Sequence, residues 1–269
     1  MTSDPFLVGF VVFLLAGLGL SVGSFLNVVI YRVPRDLSIV RPGSACPACG
    51  TEISPRDNIP LLSWLLLRGR CRACHEPISA RYPAVELLNA LLWLLLAWWA
   101  WDADAMWLLP LLLALGSAGI ALWFIDLEHH RLPNAIVLPL YPVTVAGLAL
   151  AGVMSGSWEV ASALVGGGAW VLVIGGLWLV TGGRGMGLGD VKLAPVLGAT
   201  LGWIGIGSAL VGLFAAFMIG AVVGVGLMVA RRAGRRSALP FGPFLLAGAA
   251  VGLVAGQSLA SSYTGMIGG

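Results

Sequence analysis

Four cysteines stand in two pairs, Cys46-Pro47-Ala48-Cys49 and Cys71-Arg72-Ala73-Cys74, with residues 50–70 between them; the chain has no others. Two close pairs of thiolates suit a tetrahedral zinc ion. Four protein ligands leave no open coordination position, so this zinc would be structural and not catalytic. The spacer is slightly longer than usual, which matters little because loop-closure entropy grows slowly with length. Two disulfides or four free thiols are the other readings of the same residues, and a reducing compartment disfavours the disulfides.

Acids at the edges of apolar segments are few: Glu86, Asp126 and Asp190, with Glu128 just beyond Asp126. Asp126 follows Ala121-Leu122-Trp123-Phe124-Ile125, where an uncompensated charge is expensive. Asp190 closes Gly185-Met186-Gly187-Leu188-Gly189 ahead of a new apolar run. Two carboxyl groups brought together cannot both ionise; one keeps a proton and the other does not. Such a pair takes a proton from water and gives one to a leaving amine, the two needs of peptide hydrolysis. Gly187 and Gly189 would let an extended strand approach Asp190 closely. Lys192, two residues on, would tune that acid or simply mark the membrane face. Each residue also has a plainer reading. Asp190 alone would be a helix N-cap, Asp126 a helix-end residue reaching water beside His129, His130 and Arg131, and Glu86 an interface partner of Arg81. His129 and His130 are adjacent and not helix-spaced, so they make no shared metal site.

The elements that must position these groups follow from composition. Hydrophobic residues make up 59% of the chain and charged residues 10%, with a mean hydropathy of +0.96. Soluble domains carry about 25% charged residues, so a water-facing globule is excluded. Apolar runs near the roughly 20 residues that span a bilayer recur along the chain. They predict an all-α polytopic membrane protein, because lipid-exposed backbone must satisfy its own hydrogen bonds. The short alternating segments of a β-barrel do not occur. About eight spans are expected, at 6–30, 83–101, 105–125, 134–154, 159–181, 191–208, 209–230 and 239–260. The break between the sixth and seventh rests on Gly202, Gly205, Gly207 and Ser208.

Charge then orients the bundle. An acidic start at Asp4, followed by Arg32 and Arg35, places the N-terminus outside, and no basic residue precedes the first run as a signal peptide requires. Alternating from there puts all fifteen Lys and Arg inside, including Arg231, Arg232, Arg235 and Arg236, while Asp4, Asp102, Asp104 and Glu159 lie outside. Both termini are then outside, and Asp126 and Asp190 share one depth at the inner face. The basic balance reports orientation and contact with anionic lipid, not nucleic acid. Trp98, Trp99, Trp101 and Trp107 bracket the outer loop as an aromatic belt. Gly220/Gly224 and Gly248/Gly252/Gly256 are spaced for close helix contact. Residues 31–82 are polar, punctuated by Pro and Gly, and too few for a self-sufficient core, so a zinc staple is expected there. The organisation is thus 1–30, a first transmembrane helix; 31–82, a cytosolic zinc-binding insert; and 83–269, a seven-helix membrane core.

Taken together, the ordered motifs resemble the type IV prepilin peptidases, bacterial membrane aspartic peptidases. They run from Gly23-Ser24-Phe25-Leu26-Asn27-Val28-Val29-Ile30-Tyr31-Arg32 through the two cysteine pairs, with Asp57-Asn58-Ile59-Pro60-Leu61-Leu62-Ser63-Trp64 between them, to Ile78-Ser79-Ala80-Arg81-Tyr82-Pro83. Ile125-Asp126-Leu127-Glu128, Leu132-Pro133, Gly187-Leu188-Gly189-Asp190-Val191-Lys192 and Pro240-Phe241-Gly242-Pro243 complete the set. Asn134 stands where relatives often carry Asp. The resemblance implies that Asp126 and Asp190 are catalytic. It also implies a pilin or type II secretion pseudopilin precursor as substrate, with a short basic leader and a glycine before the cut. Inner-membrane placement is implied too, as is methylation of the new N-terminus with S-adenosylmethionine. The donor rests on the resemblance alone, since no Gly-x-Gly-x-x-Gly follows a strand. A basic leader would have to find acids such as Glu52, Asp57, Glu76 or Glu128 on a net positive face. Two other classes compete. A presenilin-like or signal-peptide-peptidase-like protease would use the same chemistry but lacks the cysteine pairs. A proton-coupled transporter usually shows repeated halves and acids at the midplane, which this chain does not.

Overall fold

Asp4 and Pro5 open the first helix: the Asp4 carboxylate accepts the Phe6 N–H at 2.9 Å and Pro5 occupies the first turn. The computed structural model describes residues 4–230 and 239–267; Arg231, Arg232, Arg235 and Arg236 lie outside the described residues. Its helices are α1 (Pro5–Arg32), α2 (Leu62–Leu66), α3 (Arg81–Asp102), α4 (Leu109–His129), α5 (Asn134–Ser155), α6 (Val160–Thr181), α7 (Leu188–Ile204), α8 (Ile206–Val229) and α9 (Gly242–Ile267). No strand forms among the described residues; the insert holds only the isolated bridges Ala45–Glu52 and Arg70–Pro77. The all-α membrane class is therefore as expected.

The expected eight spans become seven. Among the described residues, α1, α3, α4, α5, α6, α8 and α9 are long and apolar enough to cross a membrane. The exception is α7. Its 17 residues rise only about 26 Å, short of the roughly 30 Å hydrocarbon core. It also carries Asp190 and Lys192 at one end, and it packs against α5, α6, α8 and α9, which cover most of its surface. The break after it falls at Gly205, whose φ of 156° links it to α8.

The chain divides into two compact units, Met1–Ala121 and Leu122–Gly269, the boundary falling inside α4. In the first, α1 packs on α3 through small residues: a Cβ on Gly23 would come within 2.6 Å of the Glu86 Cα, and one on Gly19 within 2.8 Å of the Ala90 Cα. Polar pairs lock this seam. Asn89, fully buried, donates to the Gly19 carbonyl at 2.7 Å and accepts from the Ser117 hydroxyl at 2.9 Å. Asn27 donates to the Tyr82 carbonyl at 3.1 Å, and buried Glu86 accepts the Leu61 N–H at 2.8 Å, tying the insert to α3. Within the insert, Trp64 lies against Gly69 and donates to the Ile78 carbonyl at 3.1 Å.

In the second unit, α6 meets α7 through Gly166, Gly198 and Gly202, and fully buried Trp170 donates to the Ala209 carbonyl of α8 at 2.8 Å. Gly248, Gly252 and Gly256 of α9 lie against Ala216, Gly212 and Ser208 of α8, as their spacing predicts. The other predicted pair differs: Gly220 faces the Phe241 and Phe244 rings, and a Cβ on Gly224 would meet only Leu239 at 3.7 Å. This gives a paired test. Gly252→Leu must force backbones apart and is expected to lower stability by about 1–3 kcal/mol. Gly224→Leu should leave it unchanged. Thermal unfolding of the two detergent-solubilised variants checks both.

Candidate active site

Asp126 sits in the last turn of α4, which stops where His130 turns left-handed at φ 50°. The chain then runs through Arg131, Leu132 and Pro133 into α5. Asp190 is the third helical residue of α7, whose N-cap is Gly187. This corrects the plainer reading of Asp190 as the N-cap itself. Its carboxylate caps from inside the helix, accepting the Gly187 N–H at 2.9 Å through Oδ2, the return half of a capping box.

Both acids are buried, Asp126 at 4% exposure and Asp190 at 5%, so neither reaches bulk water by extending along the surface. That removes the plainer reading of Asp126. Asp126 Oδ2 instead accepts the N–H of Gly242, the first residue of α9, at 3.0 Å. Leu132 touches both Gly189, next to Asp190 in sequence, and Gly242, which holds Asp126. A Cβ on Gly189 would come within 2.8 Å of the Leu132 Cβ, and one on Gly242 within 3.2 Å of its Cδ2. Asp190 Oδ1 has no hydrogen-bond partner although buried.

The other expected site residues divide. Gly189 is needed for its contact with Leu132; Gly187 tolerates a Cβ, the nearest atom being Asp190 Oδ2 at 3.4 Å. Lys192 turns from the acids and donates to Asn134 Oδ1 at 2.9 Å, while its carbonyl accepts the Tyr141 hydroxyl at 2.8 Å. Asn134 thus has a structural partner on α7.

Gly242 was legible only as part of a motif, with no role attached. Its N–H fixes Asp126, and any side chain there would sit 2.7 Å from Asp126 Oδ2. Gly242→Ala is expected to displace that carboxyl group and to slow the site's chemistry by about 100-fold, since misplacements near 1 Å cost that much. Turnover beside an unchanged melting temperature would confirm it.

In the insert, the Sγ atoms of Cys46, Cys49, Cys71 and Cys74 lie within 4.8 Å of one another, with Cys46 and Cys74 at 3.8 Å. Zinc–sulfur bonds of about 2.3 Å in a tetrahedron demand sulfur separations near 3.8 Å. The four cysteines are free thiols, not disulfides. The knuckles match turn for turn: the Cys46 and Cys71 N–H groups donate to Thr51 and Glu76, and Gly50 and His75 take the left-handed position after each second cysteine. The residues therefore form a set that fits a metal such as zinc.

Fold and site together define a polytopic helical membrane protein with two buried aspartates at helix ends and a four-cysteine cluster. Comparison with known sequences gives the family. Residues 18–100 match the bacterial peptidase A24 N-terminal domain, and residues 107–225 match the type IV leader peptidase family. The chain is 38% identical to the prepilin leader peptidase/N-methyltransferase of Aeromonas hydrophila, covering 91% of this chain and 90% of that protein. It is 36% identical to the protein of the same name from Pseudomonas aeruginosa, covering 91% of each. To that from Myxococcus xanthus it is 46% identical, over 85% of this chain and 66% of the other. No solved structure matches it significantly. The chain belongs to the type IV leader peptidase family.

Proposed function

We propose that this chain removes the basic leader from type IV prepilins or pseudopilins and then methylates the freed amine, working at the cytosolic face of the inner membrane. The observation that carries this is the two buried carboxyl groups, Asp126 held by the Gly242 N–H and Asp190 by the Gly187 N–H. The relatives' names supply the substrate class and both activities. Counting α7 as the eighth crossing keeps both termini outside and both acids at the inner edge, where the bond between a cytosolic leader and a membrane helix would lie.

The chemistry follows from the pair. The ionised aspartate takes a proton from a water as its oxygen bonds to the peptide carbon, and the protonated one gives its proton to the carbonyl oxygen. As the carbon–nitrogen bond breaks, the aspartate that took the water's proton gives it to the amine nitrogen, and the other aspartate takes back the proton of the hydroxyl that becomes the new carbonyl, leaving one aspartate charged and one neutral. Water is activated directly, with no acyl-enzyme. Either acid can take either part; the open Oδ1 of Asp190 is the freer position for water. Cys46, Cys49, Cys71 and Cys74 would hold a zinc ion that staples residues 31–82 and takes no part in the cut. S-adenosylmethionine, when bound, would supply the methyl group that the freed amine takes up. Of the acids open to a basic leader, Asp57 is already committed to Arg72 by bonds of 2.6 and 2.8 Å.

Membranes containing the full chain, incubated with a tagged precursor of basic leader, glycine and apolar helix, test the reading. Mass spectrometry of the product should show a cut directly after the glycine and a methyl on the new first residue. An intact precursor, or a cut inside the apolar helix, would overturn the assignment.

A further inference from the structure

A helix in water hides its apolar face and shows its polar one; α2 does the reverse. Ser63 is buried, its hydroxyl donating to the Arg56 carbonyl and accepting the Ile59 N–H, both at 3.0 Å. Leu62, Leu65 and Leu66 share one face by their i, i+3, i+4 spacing, and all three are exposed. Ile59, just ahead of the helix in sequence, is exposed too.

The level of α2 is set by α3. The Leu61 N–H donates to Glu86 Oε2 at 2.8 Å, and Glu86 is buried five residues beyond Arg81, where the membrane helix α3 begins. Five residues rise about 7.5 Å along a helix. Amphipathic helices that lie in a bilayer's surface sink their apolar face about 5–10 Å into the boundary of headgroup and acyl chain. Leu61 reaches Glu86 through a strained γ-turn: its φ is 59° and its ψ −50°, and the Leu62 N–H donates to the Pro60 carbonyl at 2.6 Å. Charge follows the same layout. From Asn58 to His75 the chain has no acid, and Arg68 and Arg70, directly after α2, are exposed. Asp57, the acid before them, is committed to Arg72.

We propose that α2 is an interfacial anchor: Ile59, Leu62, Leu65 and Leu66 lie among the acyl chains, and Arg68 and Arg70 contact anionic phospholipid headgroups. The segment 31–82 then dips into the membrane at its middle. A precursor with a basic leader would bring positive charge against Arg68 and Arg70, and a second copy would set the same arginines against one another, whereas anionic lipid complements them. The leaflet rests on the orientation proposed above; the depth rests on Leu61 and Glu86 alone. Lipid anchors α2 and leaves the two knuckles, on either side of it in sequence, to be joined through their cysteines.

The test uses the full-length, zinc-loaded protein in phosphatidylcholine nanodiscs with a trace of lipid carrying a diazirine on its acyl chain, either phosphatidylglycerol or phosphatidylcholine. After photolysis, wild type should carry adducts on 59–66 from both probes. Phosphatidylglycerol should label that segment about fivefold more, the enrichment that exposed arginines give at an anionic surface. Arg68→Gln with Arg70→Gln should remove the preference and keep the adducts. Leu65→Ser with Leu66→Ser should lower them by about tenfold through the apolar area withdrawn, while labelling of α1 and α3 and the bound zinc stay at wild-type levels. Wild type free of adducts on 59–66, equal yields from the two probes, or serine variants labelled like wild type would each overturn the proposal. Adducts abolished by excess precursor would give the face to the substrate's helix instead. Both leaflets of the disc are alike and no readout involves cleavage, so a chain that fails here can still be a peptidase, and one that cuts nothing can still pass.

Discussion

Asp126→Asn and Asp190→Asn should each lower cleavage of a pilin-like precursor by about 10⁴-fold, and the double variant should be no slower than either single one. Asparagine keeps the size and the acceptor oxygen, so the N–H groups of Gly242 and Gly187 retain a partner and the burial of both residues is undisturbed. What is lost is the ability to gain or give up a proton. General acid–base catalysis contributes about 10²–10⁴-fold per group, and here one proton serves two groups, so removing either removes the cycle. Non-additivity is the sharper part of the expectation. Independent carboxylates would multiply their losses, whereas a pair sharing one proton cannot lose it twice. Initial rates with purified protein, beside melting temperatures that stay at the wild-type value, decide it. Activity above about a tenth of wild type in either single variant, or multiplying losses in the double, would remove the pair from the mechanism.

Both acids could be found from sequence because a charge beside a long apolar run is conspicuous in a chain with so few charges. The cysteine cluster was equally plain, since two knuckles contain every thiol the protein has. What spacing did not reveal was how the acids are held. Gly242 acts through its backbone N–H and its lack of a side chain, neither of which is distinctive among 38 glycines. Leu132 acts by position, in a turn whose direction depends on His130 taking a left-handed conformation. Lys192 allowed two readings, tuning Asp190 or marking the membrane face, and sequence could not show that its ammonium donates to Asn134. Among the eight expected spans, α7 falls short in length for a related reason. Hydropathy registers an apolar run without registering that other helices cover it, and a covered helix need not match the thickness of the lipid.

Removing the metal should unfold the insert and leave the helices standing. Among the described residues from 33 to 80, Pro34 and Cys46 are the only apolar side chains that are buried. Three leucines or isoleucines of that stretch that would make a core elsewhere, Leu62, Leu66 and Ile59, are exposed at 56%, 81% and 47%. Apolar burial therefore cannot hold the segment, whereas structural zinc in small domains contributes an apparent binding free energy of about 10–16 kcal/mol. Chelation, or Cys46→Ser, is expected to release about one zinc per chain, the content four ligands imply. Amide exchange across 44–78 should then rise by about 10³-fold or more, since the knuckle bonds to Thr51 and Glu76 and the Trp64 contact with Ile78 all depend on the two halves staying together. The loss should stop at Tyr82. From there α3 is held to α1 by Asn27, Asn89 and the close glycine seam, none of which touches the cysteines. Purified protein without zinc, or an insert whose exchange is unchanged after chelation, would show that something other than a metal joins the knuckles. Exchange that spreads through α1 and α3 would show instead that the staple supports the whole first unit.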